Sequence, residues 1–169
     1  MNAVTDFKPL LSADGYKKID REVAKYPSDQ KQSAVMAALA IAQEEQGWTS
    51  PEVIQDVARY LGMPAIAVHE VATFYNMYDT KKVGKFKLAV CTCLPCALRD
   101  GCKAGEYLKG KLGIGFGETT ADGMFTLKES ECLGACGDSP VMLVNNIRMC
   151  SFMSTEKLDA LLTELKAKG

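Results

Sequence analysis

The chain has 169 residues, 47% of them apolar and 24% charged, which leaves room for one ordinary domain or two small ones with the composition of a soluble globular protein. A formal net charge of -1 and a pI near 5.9 give no global positive field for nucleic acid or anionic lipid. The longest apolar run, residues 34–42, is far shorter than the roughly 20 residues needed to cross a bilayer, and the first residues lack the charged and apolar regions of an export signal.

In chain order, the first half reads as helix. Residues 13–26 and 31–46 carry helical patterns separated by a Pro-Ser-Asp turn. Ser50-Pro51 has the form of an N-cap followed by proline at the first helical position. The helix it opens puts Val53, Ile54, Val57 and Leu61 on one face and stops at Gly62-Met63-Pro64. A fourth helix is expected over 65–78, with Val68, Val71, Ala72 and Tyr75 at helical spacing. Short helices joined by short turns predict a small helical bundle over residues 1–80.

The pattern changes near Lys81-Lys82-Val83-Gly84. From there a strand is expected at 86–91, a helix at 101–112, strands at 124–131, 141–144 and 147–151, and a helix at 155–167. Asn145-Asn146 suits a tight hairpin turn, because asparagine tolerates positive φ. Ser154 can cap the last helix, whose Leu158, Leu161, Leu162 and Leu165 form one stripe. The fold class is therefore α+β, and the order βαβββα over 81–169 is that of a small thioredoxin-like domain.

All seven cysteines lie between residues 91 and 150. An unexported chain keeps such thiols reduced or metal-bound. Cys91 and Cys96 form one pair, Cys132 and Cys136 a second, each in a loop directly after a strand. Two thiol pairs on neighbouring loops are what a four-thiolate centre requires, and an iron–sulfur cluster with one iron per pair is the leading reading. Gly134 and Gly137 would let backbone N–H groups approach the sulfurs, and Pro95 stiffens the first loop.

Two rivals use the same residues. Structural zinc sites most often show C-x-x-C knuckles on both sides, a spacing neither pair has. Cys93-Leu94-Pro95-Cys96, after a strand, has the form of a thiol–disulfide site, with Ser139-Pro140-Val141 as its facing proline. That reading gives no role to Cys91, Cys132 and Cys136.

The segments CTCLPC (91–96), GETTADGMFTL (117–127), ECLGACGDSPVMLVN (131–145) and VHEVATFY (68–75) resemble the family of small thioredoxin-like [2Fe–2S] subunits from the NADH dehydrogenase module of respiratory complex I. The resemblance extends from about Tyr16 to Leu165, and related subunits serve NAD-linked formate dehydrogenases and hydrogenases. It implies one [2Fe–2S] cluster on Cys91, Cys96, Cys132 and Cys136, behind an N-terminal helical bundle. It also implies FMN and NADH on a partner subunit, one-electron exchange with that flavin, and other peripheral-arm partners. The expected setting is the cytoplasmic side of a bacterial membrane, within a membrane-bound complex but without direct membrane insertion or nucleic-acid contact. The isolated chain should catalyse nothing beyond electron transfer. The chain departs from the family pattern at Cys93, where a small non-cysteine residue is more usual; its thiol is expected to point away from the metal.

Cys102 and Cys150 are expected to pack as small buried hydrophobes. His69, the only histidine, suits packing or an interface better than metal binding. Phe74, Tyr75 and Tyr78 are expected on one helix, as bundle core or as a subunit interface. The glycines of 110–117 match neither a dinucleotide fingerprint nor a P-loop, and no Ser–His–Asp or paired-carboxylate arrangement is present to catalyse bond making.

Overall fold

The computed structural model describes residues 9–169. It divides into two compact units, Met1–Lys82 and Val83–Gly169.

The first unit is helical: α1 (Ala13–Val23), α2 (Val35–Gln46), α3 (Pro51–Leu61) and α4 (Ala65–Phe74), with a 3-10 turn over Lys31–Ala34 leading into α2. Local chemistry sets the boundaries. Ser12 Oγ accepts from Gly15 N–H at 3.0 Å to start α1, and Ser50 Oγ accepts from Val53 N–H at 3.2 Å to start α3, with Pro51 at its first position. Helix α3 ends on Gly62, whose φ of 68° lies in the left-handed region that glycine enters without steric cost. Val53, Ile54, Val57 and Leu61 are buried against Ile19, Leu39 and Val68, as the spacing of α3 predicts.

Two helices are shorter than their patterns suggest. Helix α1 stops at Val23 instead of 26, just ahead of Tyr26, which the following Pro27 biases away from helical backbone. Helix α4 stops at Phe74 instead of 78: Tyr75 is extended, with φ -90° and ψ 126°. The chain then turns so that Tyr78 enters the core, where its hydroxyl donates to Met36 O at 2.7 Å. The aromatic trio is therefore not a single helical face. Tyr78 is core, whereas Phe74 is 80% exposed and Tyr75 is exposed beside it.

The second unit contains β1 (Phe86–Cys91), α5 (Leu94–Ala97), α6 (Gly101–Leu112), β2 (Phe125–Ser130), β3 (Met142–Val144), β4 (Arg148–Cys150) and α7 (Thr155–Ala167). The strands form one mixed sheet in the order β2-β1-β3-β4. β1 pairs in parallel with β2 and antiparallel with β3, and β3 and β4 form a hairpin. Every residue of β1 is buried, as befits an inner strand covered on both faces. Asn145 and Asn146 take φ of 50° and 59° in the hairpin turn, and Asn145 Oδ1 accepts from Lys87 N–H at 2.6 Å. Leu88, Val90, Phe125 and Leu127 from the sheet meet Leu108 of α6 and the leucine stripe of α7 in one core.

Candidate metal centre

Parallel pairing of β1 and β2 places the site. Cys91, the last residue of β1, lies opposite Ser130, the last of β2, so both strands release their loops at the same end of the sheet. Two further bonds seal this end: Cys91 N–H donates to Val141 O at 3.1 Å and Thr92 N–H to Ser130 O at 3.2 Å. Cys132 follows two residues beyond Ser130, so the two cysteine loops start side by side.

The first loop closes at once into α5, a single turn that the strand pattern does not announce. Its start at Cys93, with Pro95 in the opening turn, swings Cys96 back beneath Cys91, and both side chains are fully buried against Val141. The second loop folds around Gly134, whose φ of 74° turns the chain so that its N–H donates to Cys132 Sγ at 3.4 Å. Cys136 opens a 3-10 turn over Cys136–Asp138 and comes within 3.8 Å of Cys132, sulfur to sulfur. The Gly137 carbonyl accepts from Arg99 Nη1 at 3.3 Å, tying the end of the first loop to the second.

Gly101, at the start of α6, is a site residue that sequence reasoning missed. A Cβ there would lie 2.8 Å from the carbonyl oxygens of both Cys91 and Cys96, so only glycine lets α6 seat against the first loop. The one available signal was the Asp100-Gly101 step, a common turn pair; Asp100 takes φ of 67° there.

The seven cysteines are all free thiols. Burial pushes the Cys91 thiol up, but N–H donors of Cys93 and Leu133 and the thiols of Cys96 and Cys93 outweigh it, and the net direction is down. Burial pushes Cys96 up, and the neighbouring Cys91 adds to this. Cys136 is raised first by its hydrogen bond with Cys132 and further by the proximity of Cys96 and Cys91. Leu133 and Ala135 of the second loop pack against the Cys91–Cys96–Val141 cluster, so the two cysteine loops adjoin.

Cys93 has two sets of neighbours. Its thiol packs against the Cys91–Cys96–Val141 cluster and interacts with Cys91. It also donates to Glu131 Oε2 at 3.3 Å, and that bond is the main reason the thiol is pushed up to about 12. The preceding residue repeats the link: Thr92 Oγ1 donates to Glu129 Oε1 at 2.8 Å. Cys102, expected in the core, is exposed on the outer side of α6; Cys150 is buried as expected, and burial raises its thiol. His69 is exposed on α4.

Whether these residues suit a metal–sulfur group can be tested on their spacing. A tetrahedral thiolate centre with metal–sulfur bonds of about 2.3 Å holds its sulfurs roughly 3.8 Å apart. The sulfurs of Cys132 and Cys136 stand 3.8 Å apart. Among the described residues no three His, Cys, Asp or Glu side chains converge on a point suited to one ion. Ser139 Oγ is buried with no partner at hydrogen-bond distance, yet lies near enough to Cys96 to lower its thiol. Donor chemistry, the Cys132–Cys136 spacing and this orphaned hydroxyl fit a metal–sulfur group.

Comparison with known proteins points the same way. A family model described as thioredoxin-like [2Fe-2S] ferredoxin matches residues 19–166. NADH-quinone oxidoreductase subunit 2 of Thermus thermophilus is 39% identical over 149 residues, covering 88% of this chain and 82% of the relative. An NADH-quinone oxidoreductase subunit of Rickettsia conorii is 45% identical over 125 residues, covering 73% of this chain and 75% of the relative. Among solved structures, a crystal structure of an NAD+-reducing [NiFe]-hydrogenase superposes with a TM-score of 0.66 at 18% identity, covering 77% of this chain and 23% of that one. At that identity the likeness speaks to the fold alone.

Proposed function

The chain belongs to the thioredoxin-like [2Fe–2S] ferredoxin family, and on that premise we propose that it is the electron-transfer subunit of an NADH:quinone oxidoreductase, with Cys91, Cys96, Cys132 and Cys136 as the thiolates that hold its [2Fe–2S] cluster. The observation that carries the ligand set is the 3.8 Å approach of Cys132 and Cys136 on a loop whose Leu133 and Ala135 pack against the buried Cys91–Cys96 cluster. When bound, the cluster supplies one-electron storage, exchanged with a flavin that takes hydride from NADH on a partner subunit.

The chain's own residues prepare that chemistry. N–H groups of Cys93, Leu133 and Gly134 are directed at ligand sulfurs, where they offset the negative charge that four thiolates bring. Arg99 ties the end of the first loop to the second and Thr92 ties its start to Glu129 of β2, so the thiols keep their spacing when the charge on the site changes. Cys93 and Cys96 are poorly placed for disulfide exchange: one thiol is engaged with Glu131, the other is fully buried.

Among the described residues no helix is long and apolar enough to cross a membrane. We place the chain in the peripheral arm of a membrane-bound complex on the cytoplasmic side of a bacterium, against a subunit that carries FMN and binds NADH. An affinity-tagged chain purified under mild conditions should bring down a flavin-containing protein with NADH-oxidising activity. Recovery of the tagged chain alone, with NADH dehydrogenase activity intact in a deletion strain, would refute the assignment.

A further inference from the structure

Cys93 stands out because it is neither buried filler nor a member of the two pairs. Its side chain packs against the Cys91–Cys96–Val141 cluster and its thiol donates to the Glu131 carboxylate. Glu131 itself immediately precedes Cys132 and is exposed, so without a partner its side chain would sample open solvent. The 3.3 Å bond from Cys93 fixes one of its oxygens against the first cysteine loop. Thr92 holds Glu129 in the same way at 2.8 Å, so the link from loop one to β2 is built as a double clasp.

We propose that Cys93 is a positioning residue that holds the Glu131 carboxylate beside the metal–sulfur site and thereby keeps its reduction potential low. The inference rests on the reading of the four thiols as a [2Fe–2S] site. Adding an electron makes that site more negative, and a fixed carboxylate next to it disfavours the reduced form more than one that swings through solvent. Hydrogen bonding around ligand sulfurs acts on the same quantity. By donating its proton to Glu131, the Cys93 thiol keeps that charge in place without itself binding metal.

The test is an EPR-monitored redox titration of the purified full-length chain, with iron and sulfide measured on each sample. Glu131→Gln keeps the shape and removes the charge, and should move the midpoint to a more positive value with unchanged iron content. Cys93→Ala should move it in the same direction by less, and Cys93→Ser, which restores a donor, should return it close to wild type. The double variant should sit where Glu131→Gln alone sits, because both changes act through one carboxylate. Asp122→Asn, in the turn that precedes β2, should leave the midpoint unmoved. An unshifted midpoint in Glu131→Gln, or shifts from Cys93→Ala and Glu131→Gln that simply add, would overturn the proposal while leaving the cluster reading intact. A wild-type chain without iron or signal would overturn that reading, and the proposal with it.

Discussion

At the scale of single residues, one carboxylate makes the sharpest demand on the helical unit. Asp56 is 3% exposed, its Oδ1 has no partner, and its Oδ2 accepts from the Tyr16 hydroxyl at 2.7 Å. Burial and this bond push Tyr16 up to about 12. Because the folded value lies above the ordinary tyrosine value of 10.0, the stabilisation is fully present below pH 10 and is lost as pH rises through about 12. Tyr16→Phe leaves the carboxylate without its donor, and urea unfolding at pH 7 should show a loss of about 1–3 kcal/mol. A change within error would mean that water satisfies Asp56 as well as the tyrosine does. The same scale marks the limit of what the sequence reveals. Cysteine spacing suggested two loop pairs, and the sulfurs of one of them, Cys132 and Cys136, stand 3.8 Å apart. The partners of Cys93 were not legible: Glu131 meets it only because β1 and β2 run in parallel register, and no local pattern encodes which loop residue faces which.

At the scale of elements, the entry of α6 controls the site. Gly101 sits against the carbonyl oxygens of Cys91 and Cys96, each 2.8 Å from where a Cβ would be. These neighbours are backbone, which cannot swing aside as a flexible side chain could. Gly101→Ala should therefore displace the first loop, at a cost of about 1–3 kcal/mol typical of overpacking, and lower the iron bound per chain. Iron content and thermal unfolding of this variant check both effects; full iron at unchanged stability would show that α6 can shift without disturbing Cys91 and Cys96. Elements with strong local signals were read well. Pro51 and Gly62 bracket α3, the leucine stripe marks α7, and the Asn145-Asn146 turn joins β3 to β4. Elements set by tertiary packing were not. The end of α4 depends on Tyr78 reaching Met36, and α5 is a single turn too short to carry a periodic signal.

At the scale of the whole molecule, the chain uses two cores for two tasks. The helical unit closes around Ile19, Leu39, Val53 and Val68, and the α/β unit around Leu88, Phe125, Leu127 and Leu158. The cysteine site proposed to hold the cluster belongs to neither core. It forms a third, small apolar cluster around Cys91, Cys96 and Val141 at one end of the sheet, with Cys132 exposed on its outer side. Burial on one side and exposure on the other suit a group that must be held rigidly yet lie close to a redox partner. The order of strands and helices was legible from the sequence because the hydrophobic period changes near residue 84; the placement of β1 between β2 and β3 was not, since strand order depends on long-range pairing.

The most direct measurement is iron, acid-labile sulfide and the EPR spectrum of anaerobically purified protein before and after reduction, in wild type and in single Cys→Ser variants. The wild-type chain should contain about two irons and two sulfides, the composition of the cluster itself, and give a paramagnetic signal only on reduction. Serine at Cys91, Cys96, Cys132 or Cys136 should abolish or shift that signal, whereas serine at Cys93, Cys102 or Cys150 should leave the metal content unchanged. A colourless protein with one zinc per chain would contradict the account, as would a cluster that survives Cys91→Ser and disappears in Cys93→Ser.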